Sequence, residues 1–452
     1  VSFRGVLTAF ACLGALLAPS GCGRSAGPPV VVLGVWTDAE QAQFEQVLRD
    51  FTQATGIPHV YQGSRALDQV LRADVRDGNA PDVAVVASPT QLAGYASGDQ
   101  LSPLDGVLPP PAPGYSDRWE RLSETADKNG VSHRYALVVK ADLKSVIWYD
   151  PNTVRTLVPG SADGHLAPAS WSALTTMVNA LVARGGPSAA PWCLGMGAGS
   201  TSGFPGTDWI EDIVLHEFGP SLYQQWADGA LPWTAPQVRQ AFLDWGSVLA
   251  HARGGTMATL LTDFADAGKP MFGSPPGCVF DHEGSFVMGA YGSVPAKPAL
   301  RAGKDYDFFP FPPMKPGVSQ SYEASASFAA MFQHNDRADR LMNYLASVRG
   351  QQEMVTAFGG NSFSVDPRVA MSVYPDDVHR RVARILTQDS SCFDASDLMP
   401  TQLGTAFYQA VLRFASDPGR YLADQNALTD LLSQLERERV RAYGGRPLSF
   451  TC

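Results

Sequence analysis

The sequence lacks several things, and each shortage closes a class of function. It has no basic run, and 34 lysines and arginines stand against 44 aspartates and glutamates for a formal net charge of -10. Nucleic acid and anionic membrane surfaces are poor partners for such a chain. Beyond Ala18 there is no apolar stretch long enough to span a bilayer. No low-complexity tract is present, and no repeat with a period of roughly 20 to 50 residues. Neither a Gly-x-Ser-x-Gly nucleophile turn nor a phosphate-binding loop occurs. The eight histidines have no close ligand spacing. In Asp281-His282-Glu283, neighbouring strand side chains point to opposite faces, so neither a metal nor a cofactor is expected.

Cysteine is scarce, with six in 452 residues. Cys12 falls in an apolar run behind Arg4 that reads as a secretion signal over 1–21. The run ends in Ala18-Pro19-Ser20-Gly21-Cys22, which resembles a bacterial lipobox, although Pro19 stands where leucine is usual. The expectation is a lipid on Cys22 and a polar tether over 22–29. Four cysteines remain, and an exported chain tends to oxidise them to two disulfides, for which three pairings are open. Cys193 with Cys278 and Cys392 with Cys452 are favoured, since the first two flank comparable loops and the last would staple the C-terminus.

What is there is ordinary globular composition, 45% hydrophobic and 17% charged. The length exceeds what one core usually serves, so two lobes are expected. Residues 30–36 form an apolar run fit for a buried strand. Thr37 and Glu40 have the spacing of a helix start, and Phe44, Val47, Leu48 and Phe51 share one face before Gly56. Strands over 57–62 and 82–87, with a helix through Leu67, Val70 and Leu71 between them, complete a β-α-β-α-β unit with a parallel sheet. Ligands of such sheets sit beyond the carboxyl ends of the strands, which places Trp36, Ser64, Arg65, Ser88 and Gln91 on one rim.

Strand patterns resume at 135–139 and 145–149, and 140–144 reads as the first crossing between lobes. Ser170 caps a helix carrying Trp171, Leu174, Val178 and Leu181, and 192–197 reads as a strand. Another amphipathic helix carries Val238, Phe242, Trp245 and Leu249. Residues 306–311 and 326–332 look like strands, and the chain beyond Asp336 is mostly helical, interrupted at Gly359-Gly360-Asn361.

Residues 197–212 are unlike a core element. The first half is glycine, serine and threonine with Pro205 and Gly206, which reads as an exposed loop. Thr207 or Asp208 then suits a helix N-cap ahead of Trp209, Glu211 and Asp212. Trp209 beside carboxylates suits a polyhydroxylated ligand, because indole covers the apolar face of a sugar ring and carboxylates accept hydroxyl protons.

Several stretches together resemble a known family. They are Trp36 at the end of the first strand, 51–57 (FTQATGI), 61–65 (YQGSR), Pro81-Asp82-Val83, 101–105 (LSPLD), 144–150 (KSVIWYD), Pro191-Trp192-Cys193 and 206–212 (GTDWIED). In order and spacing the chain is similar to extracellular solute-binding proteins of carbohydrate ABC importers, the maltose- and α-glucoside-binding branch of the type II periplasmic-binding fold. The resemblance implies an α/β protein of two lobes, 30–143 with 309–333 and 144–308 with 334–452, around a ligand cleft. It implies a sugar ligand, permease subunits as partners, a monomer, and no enzymatic activity. By matching position the first lobe would offer Trp36, Ser64, Arg65, Ser88, Gln91 and Lys140. The second would offer Phe204, Asp208, Trp209, Glu283 and Phe286, with Asn361 from the helical part. Ala87 and Ser88 stand where maltose-binding protein has an aromatic, so a different set of stacking surfaces is implied.

The rival class is a secreted glycoside hydrolase, whose two carboxyl groups must flank the scissile bond roughly 5 to 9.5 Å apart. Asp208, Glu211 and Asp212 fall on one helix face and do not meet this. A cross-cleft pair such as Asp208 with Glu283 is not excluded by the sequence alone.

Overall fold

A computed structural model describes residues 27–108, 115–144, 146–158, 160–161, 163–186, 190–296, 298–388, 391–443 and 452. The signal, Cys22 and most of the tether lie outside the described residues. Among those described, no helix is long and apolar enough to cross a membrane.

The first sheet starts as the apolar runs predict. β1 (Val30–Gly34), β2 (His59–Gly63) and β3 (Val83–Val86) are parallel in the order β2-β1-β3, joined by helices Asp38–Thr55 and Leu67–Arg76. Phe44, Val47, Leu48 and Phe51 are buried on the inner face of the first helix, and Gly56, at φ 76°, ends it in the left-handed conformation. A small hairpin, β4 (Glu124–Ala126) with β5 (Ser132–Arg134), precedes β6 (Ala136–Lys144).

β6 corrects the reading of 140–144 as a crossing. All nine of its residues are buried, and the next strand, β7 (Val146–Tyr149), belongs to a second sheet. Lys140, Asp142 and Lys144 alternate on one face and find ionic partners there, so a stretch that looks polar is a buried strand.

The second sheet adds β8 (Trp192–Cys193), β9 (Phe280–Glu283) and β10 (Asp307–Pro310), in the order β10-β7-β9-β8. The strand expected over 192–197 is thus only two residues long. The chain then returns to the first sheet as β11 (Tyr322–Met331), antiparallel to β3 and β6, and later as β12 (Ser391–Phe393), parallel to β11.

The sheets move the expected lobe boundaries. β10 pairs with β7, so residues 309–310 belong with the second sheet. Helices Asp336–Ala346, Val348–Ala357 and Asp377–Leu386 pack on the first core through residues such as Leu341, Leu345, Val355 and Leu386, not on the second. Only from residue 395 do the C-terminal helices join the second core, through Leu403, Phe407, Phe414 and Leu428. An amphipathic helix announces that it is covered but not by which sheet.

Both favoured disulfides form, Cys193–Cys278 and Cys392–Cys452. The first ties β8 to the segment entering β9, and the second fastens the last residue to β12.

Candidate functional site

The helix in the 197–212 stretch begins earlier than its sequence suggests. It runs Phe204–Phe218, with Gly203 as N-cap at φ 106° and Pro205 in its first turn. A Cβ on Gly203 would stand 2.5 Å from the Tyr408 carbonyl, so the turn needs glycine for space as well as for backbone. Thr207 and Asp208 are consequently inside the helix, and every residue from Pro205 to Glu217 is buried. Trp209 is 0% exposed, stacked on His282 and edge-on to Trp192. It is core, and the expectation that it stacks on a ligand is corrected: early entry into the helix turns its ring inward.

A cleft of about 640 Å³ lies between the two sheets. On the first-lobe side it is lined by Trp36 after β1, by Asp38, Glu40 and Gln43 on the first turns of helix Asp38–Thr55, and by Lys140 and Asp142 of β6. On the other side stand Phe204, Phe264 and Phe286, from three separate segments.

The first-lobe wall is polar and internally paired. Lys140 Nζ lies 3.0 Å from Asp142 Oδ2 and 3.6 Å from Glu40 Oε1. Burial opposes the Lys140 charge, and the two carboxylates outweigh it, holding its pKa above the ordinary lysine value. Burial likewise raises Asp142, against the pull of Lys140. Arg65 Nη2 is 3.7 Å from Glu40 Oε2. The cations facing the cleft here already have counter-charges, so the wall presents carboxylate oxygens to hydroxyl donors and little net positive charge to an anion. Trp36 reaches this wall but is wedged edge-on between Phe44 and Phe358, and is 3% exposed.

The opposite wall is a corner of phenyl rings. Phe204 meets Phe264 at 5.0 Å and Phe286 at 6.2 Å between centroids, with Phe264 and Phe286 5.8 Å apart, all edge-to-face. Lys144 Nζ lies 5.3 Å from the Phe204 centroid and 6.0 Å from that of Phe286. Beside this cleft Ser200 Oγ donates across the lobes to the Arg65 carbonyl at 2.9 Å, and Ser285 Oγ donates to Asp142 Oδ1 at 3.1 Å.

Of the residues anticipated from sequence, Trp36, Arg65, Lys140, Phe204, Phe286 and Asn361 line the cleft. The others do not, each for a local reason. Ser64 turns back to accept from the Ala66 amide. Ser88 donates to the Asp397 carbonyl, and Gln91 borders a separate groove with Arg72 and Tyr95. Asp208 is 1% exposed and bonded to Lys144, and burial pushes its carboxyl up to about 7 despite that cation. Glu283 is buried at the end of β9. Because Asp208 and Glu283 both stand behind the second-lobe wall, they cannot flank a bond held in the cleft.

Sequence reasoning missed Glu40, Asp142, Phe264 and Phe358. Asp142 was legible, two residues from Lys140 and so on the same strand face. Phe264 follows the cap of a four-residue helix, Phe264–Ala267, and has no periodic signal to mark it. Among the described residues, Asp208, Glu211 and Asp394 bring carboxylate oxygens within 4.8 Å of one another as metal ligands would. The Lys144 ammonium already sits beside two of them.

A two-sheet α/β body with a wall from each half around one cleft is the geometry of a solute receptor, and the model of a known family, bacterial extracellular solute-binding proteins, matches residues 36–352. The chain belongs to this family. This solute-binding protein is 31% identical over 385 residues to the osmoprotective compounds-binding protein GgtB of Synechocystis sp., covering 84% of this chain and 86% of that one. It is 29% identical over 413 residues to the alpha-glucosides-binding periplasmic protein AglE of Rhizobium meliloti, covering 88% and 85%. The solved structure of the bacterial solute receptor AcbH, described as having an exclusive preference for β-D-galactopyranose, has the same fold. Its TM-score is 0.75 at 18% identity, covering 91% of this chain and 98% of AcbH. The anticipated two-lobed α/β fold is therefore this protein's fold, and its place is outside the cytoplasm, as the substrate-binding component of an ABC transport system.

Proposed function

We propose that the transported substrate is a neutral sugar of the oligosaccharide or α-glucoside type, captured between the phenylalanine corner and the carboxylate wall. The observation that carries this reading is the pairing of those two walls across one cleft. Phenyl faces cover the C–H surface of a pyranose, and Glu40 and Asp142 accept its hydroxyl protons. Phe204 and Phe286 come from the second lobe and Lys140 and Asp142 from the first, so a ligand completes its contacts only when the lobes are together. That difference in contacts is what shifts an open population to a closed one.

AglE, named for alpha-glucosides, supports the sugar class. GgtB, named for osmoprotective compounds, supports a small compatible solute as the second reading. Lys144 near Phe204 and Phe286 weighs against a cationic solute in the corner, since one cation already lies beside two of its rings. On this reading the protein acts as a monomer, held at the outer membrane face by a lipid on Cys22, and hands its ligand to the permease.

Calorimetric titration of a soluble chain beginning at Gly23 tests the reading. The panel is mono-, di- and trisaccharides beside betaine, amino acids and polyamines. Saturable binding of a neutral glycoside at micromolar Kd, about -8 kcal/mol, is expected. Binding of betaine or an amino acid with silence across the sugars would replace the sugar class, and release of a free monosaccharide from a bound glycoside would make the protein a hydrolase.

A further inference from the structure

Where the two sheets meet, the chain buries more carboxyl groups than it supplies cations to balance. Lys144, the last residue of β6, places its Nζ 2.9 Å from Asp208 Oδ2 and 2.8 Å from Asp394 Oδ2, the latter an ion pair without hydrogen-bond alignment. Glu211 from helix Phe204–Phe218, Glu323 from β11 and Glu283 from β9 stand around the same point, all at 2% exposure or less. Half-buried Asp397 faces it from the short helix Ala395–Leu398. A divalent metal among Asp208, Glu211 and Asp394 would have to displace the ammonium already held there.

Hydrogen bonding separates the carboxyl groups into two kinds. Asp208 and Asp394 have Lys144, and Asp394 also accepts from the Asp397 amide and Ser396 hydroxyl. Glu211 Oε2 accepts from the Ala395 amide at 2.7 Å, the Ser396 amide at 3.3 Å and the Tyr223 hydroxyl at 3.4 Å, but its Oε1 has no partner among the described residues. Glu323 has none on either oxygen among the described residues, at 1% exposure. A full charge on Glu323 has no donor among the described residues to hold it, and one on Glu211 is held at a single oxygen. Lys144 and Glu323 belong to the first sheet, while Asp208, Glu211 and Glu283 belong to the second lobe. Added charge therefore repels across the line on which the lobes join.

We propose that this junction is a proton-operated latch: Glu211 and Glu323 are carried as uncharged acids while the lobes meet, and their ionisation drives the junction apart. Every element packed there bears on the two groups. Burial is first in raising Glu211, followed by Asp394 and Asp208, against Lys144. Burial is first for Glu323 as well, followed by Glu211, Asp212, Asp394 and Asp208. Tyr223 and Tyr408 face the group from their own helices, and His216 and His282 both bond to Asp212. The folded chain thus holds protons that the unfolded chain releases above about pH 4. The stability these two acids contribute is present at acid pH and lost as the pH rises toward their folded-state values.

The latch concerns the junction alone and needs no ligand for its test. The mature chain is unfolded with urea in weakly buffered solution near pH 7 and the protons released are counted, beside thermal melts from about pH 5 to pH 9. The wild-type chain is expected to release protons and to melt lower toward alkaline pH, with a radius of gyration that grows in X-ray scattering. Glu323→Gln, an uncharged mimic of the acid, should release about one proton fewer and lose less of its melting temperature by pH 9. Glu211→Gln should act in the same direction, and should it fail to fold, Glu323→Gln decides alone. An equal proton count in wild type and Glu323→Gln would overturn the latch, as would a Glu323→Gln deficit in melting temperature that is larger at pH 9 than at pH 5.

Discussion

Trp209 and His282 lie face to face in the second core, their ring centroids 4.0 Å apart and tilted by 30°. Trp171, Trp192 and Phe311 close around Trp209 edge-on. No part of the indole reaches the cleft. Trp209→Ala therefore removes core packing, and a loss of about 3 to 5 kcal/mol is expected in chemical denaturation. Were Trp209 a ligand surface, denaturation would be nearly unchanged and only ligand affinity would fall.

Phe264 is the complementary case, half-buried in the wall of the cleft and part of no large core cluster. Phe264→Ala should cost about 0.5 to 1.5 kcal/mol of ligand affinity, roughly two- to tenfold in Kd, with little change in apo melting. Calorimetry with whichever ligand the panel identifies, beside a melt of the free protein, separates the two effects. An unchanged Kd would remove the phenyl corner from the binding site.

The contrast between these two rings shows where sequence ran out. The β-α-β-α-β start was legible because its helices have buried stripes and its strands unbroken apolar runs, and Gly56 and Ser170 stop and start helices as their chemistry demands. Trp209 was misplaced because Gly203, not Thr207 or Asp208, caps the helix, and that choice depends on the Tyr408 carbonyl far along the chain. β6 was cut short because Lys140, Asp142 and Lys144 look like solvent, and their counter-charges at Glu40, Asp208 and Asp394 are distant in sequence. Half of the candidate site was reached by matching positions in the family, and Glu40, Asp142 and Phe264 needed the fold.

His282 sets the acid side of the stability profile. Its Nε2 lies 2.9 Å from Asp212 Oδ2 while its Nδ1 is buried without a partner among the described residues, which is the pattern of a neutral ring donating one N–H. Burial lowers its pKa below the ordinary 6.5, with Asp212 pulling the other way. The unfolded chain then binds a proton that the folded chain refuses. The His282 contribution to stability is full above about pH 6.5 and is lost as the pH falls toward the folded value. The ring's NMR titration should lie below that of a free histidine, and His282→Gln should flatten the acid decline. A His282 midpoint above 6.5 would mean that Asp212 holds it as an imidazolium.

Ser200 offers a test of how the lobes are kept together without a ligand. Its Oγ donates to the Arg65 carbonyl at 2.9 Å, and Arg65 is itself tied to Thr37 and Glu40 at the start of helix Asp38–Thr55. An exposed neutral hydrogen bond contributes about 0.5 to 1.5 kcal/mol, too little to hold the lobes but enough to change how often they part. Ser200→Ala should raise the ligand dissociation rate by roughly two- to tenfold, with the association rate little changed. Stopped-flow dissociation measures this directly. If the off-rate stays constant while the apo protein scatters X-rays as a larger particle, the bond restrains only the empty state, and the ligand's own contacts with both walls must hold the closed one.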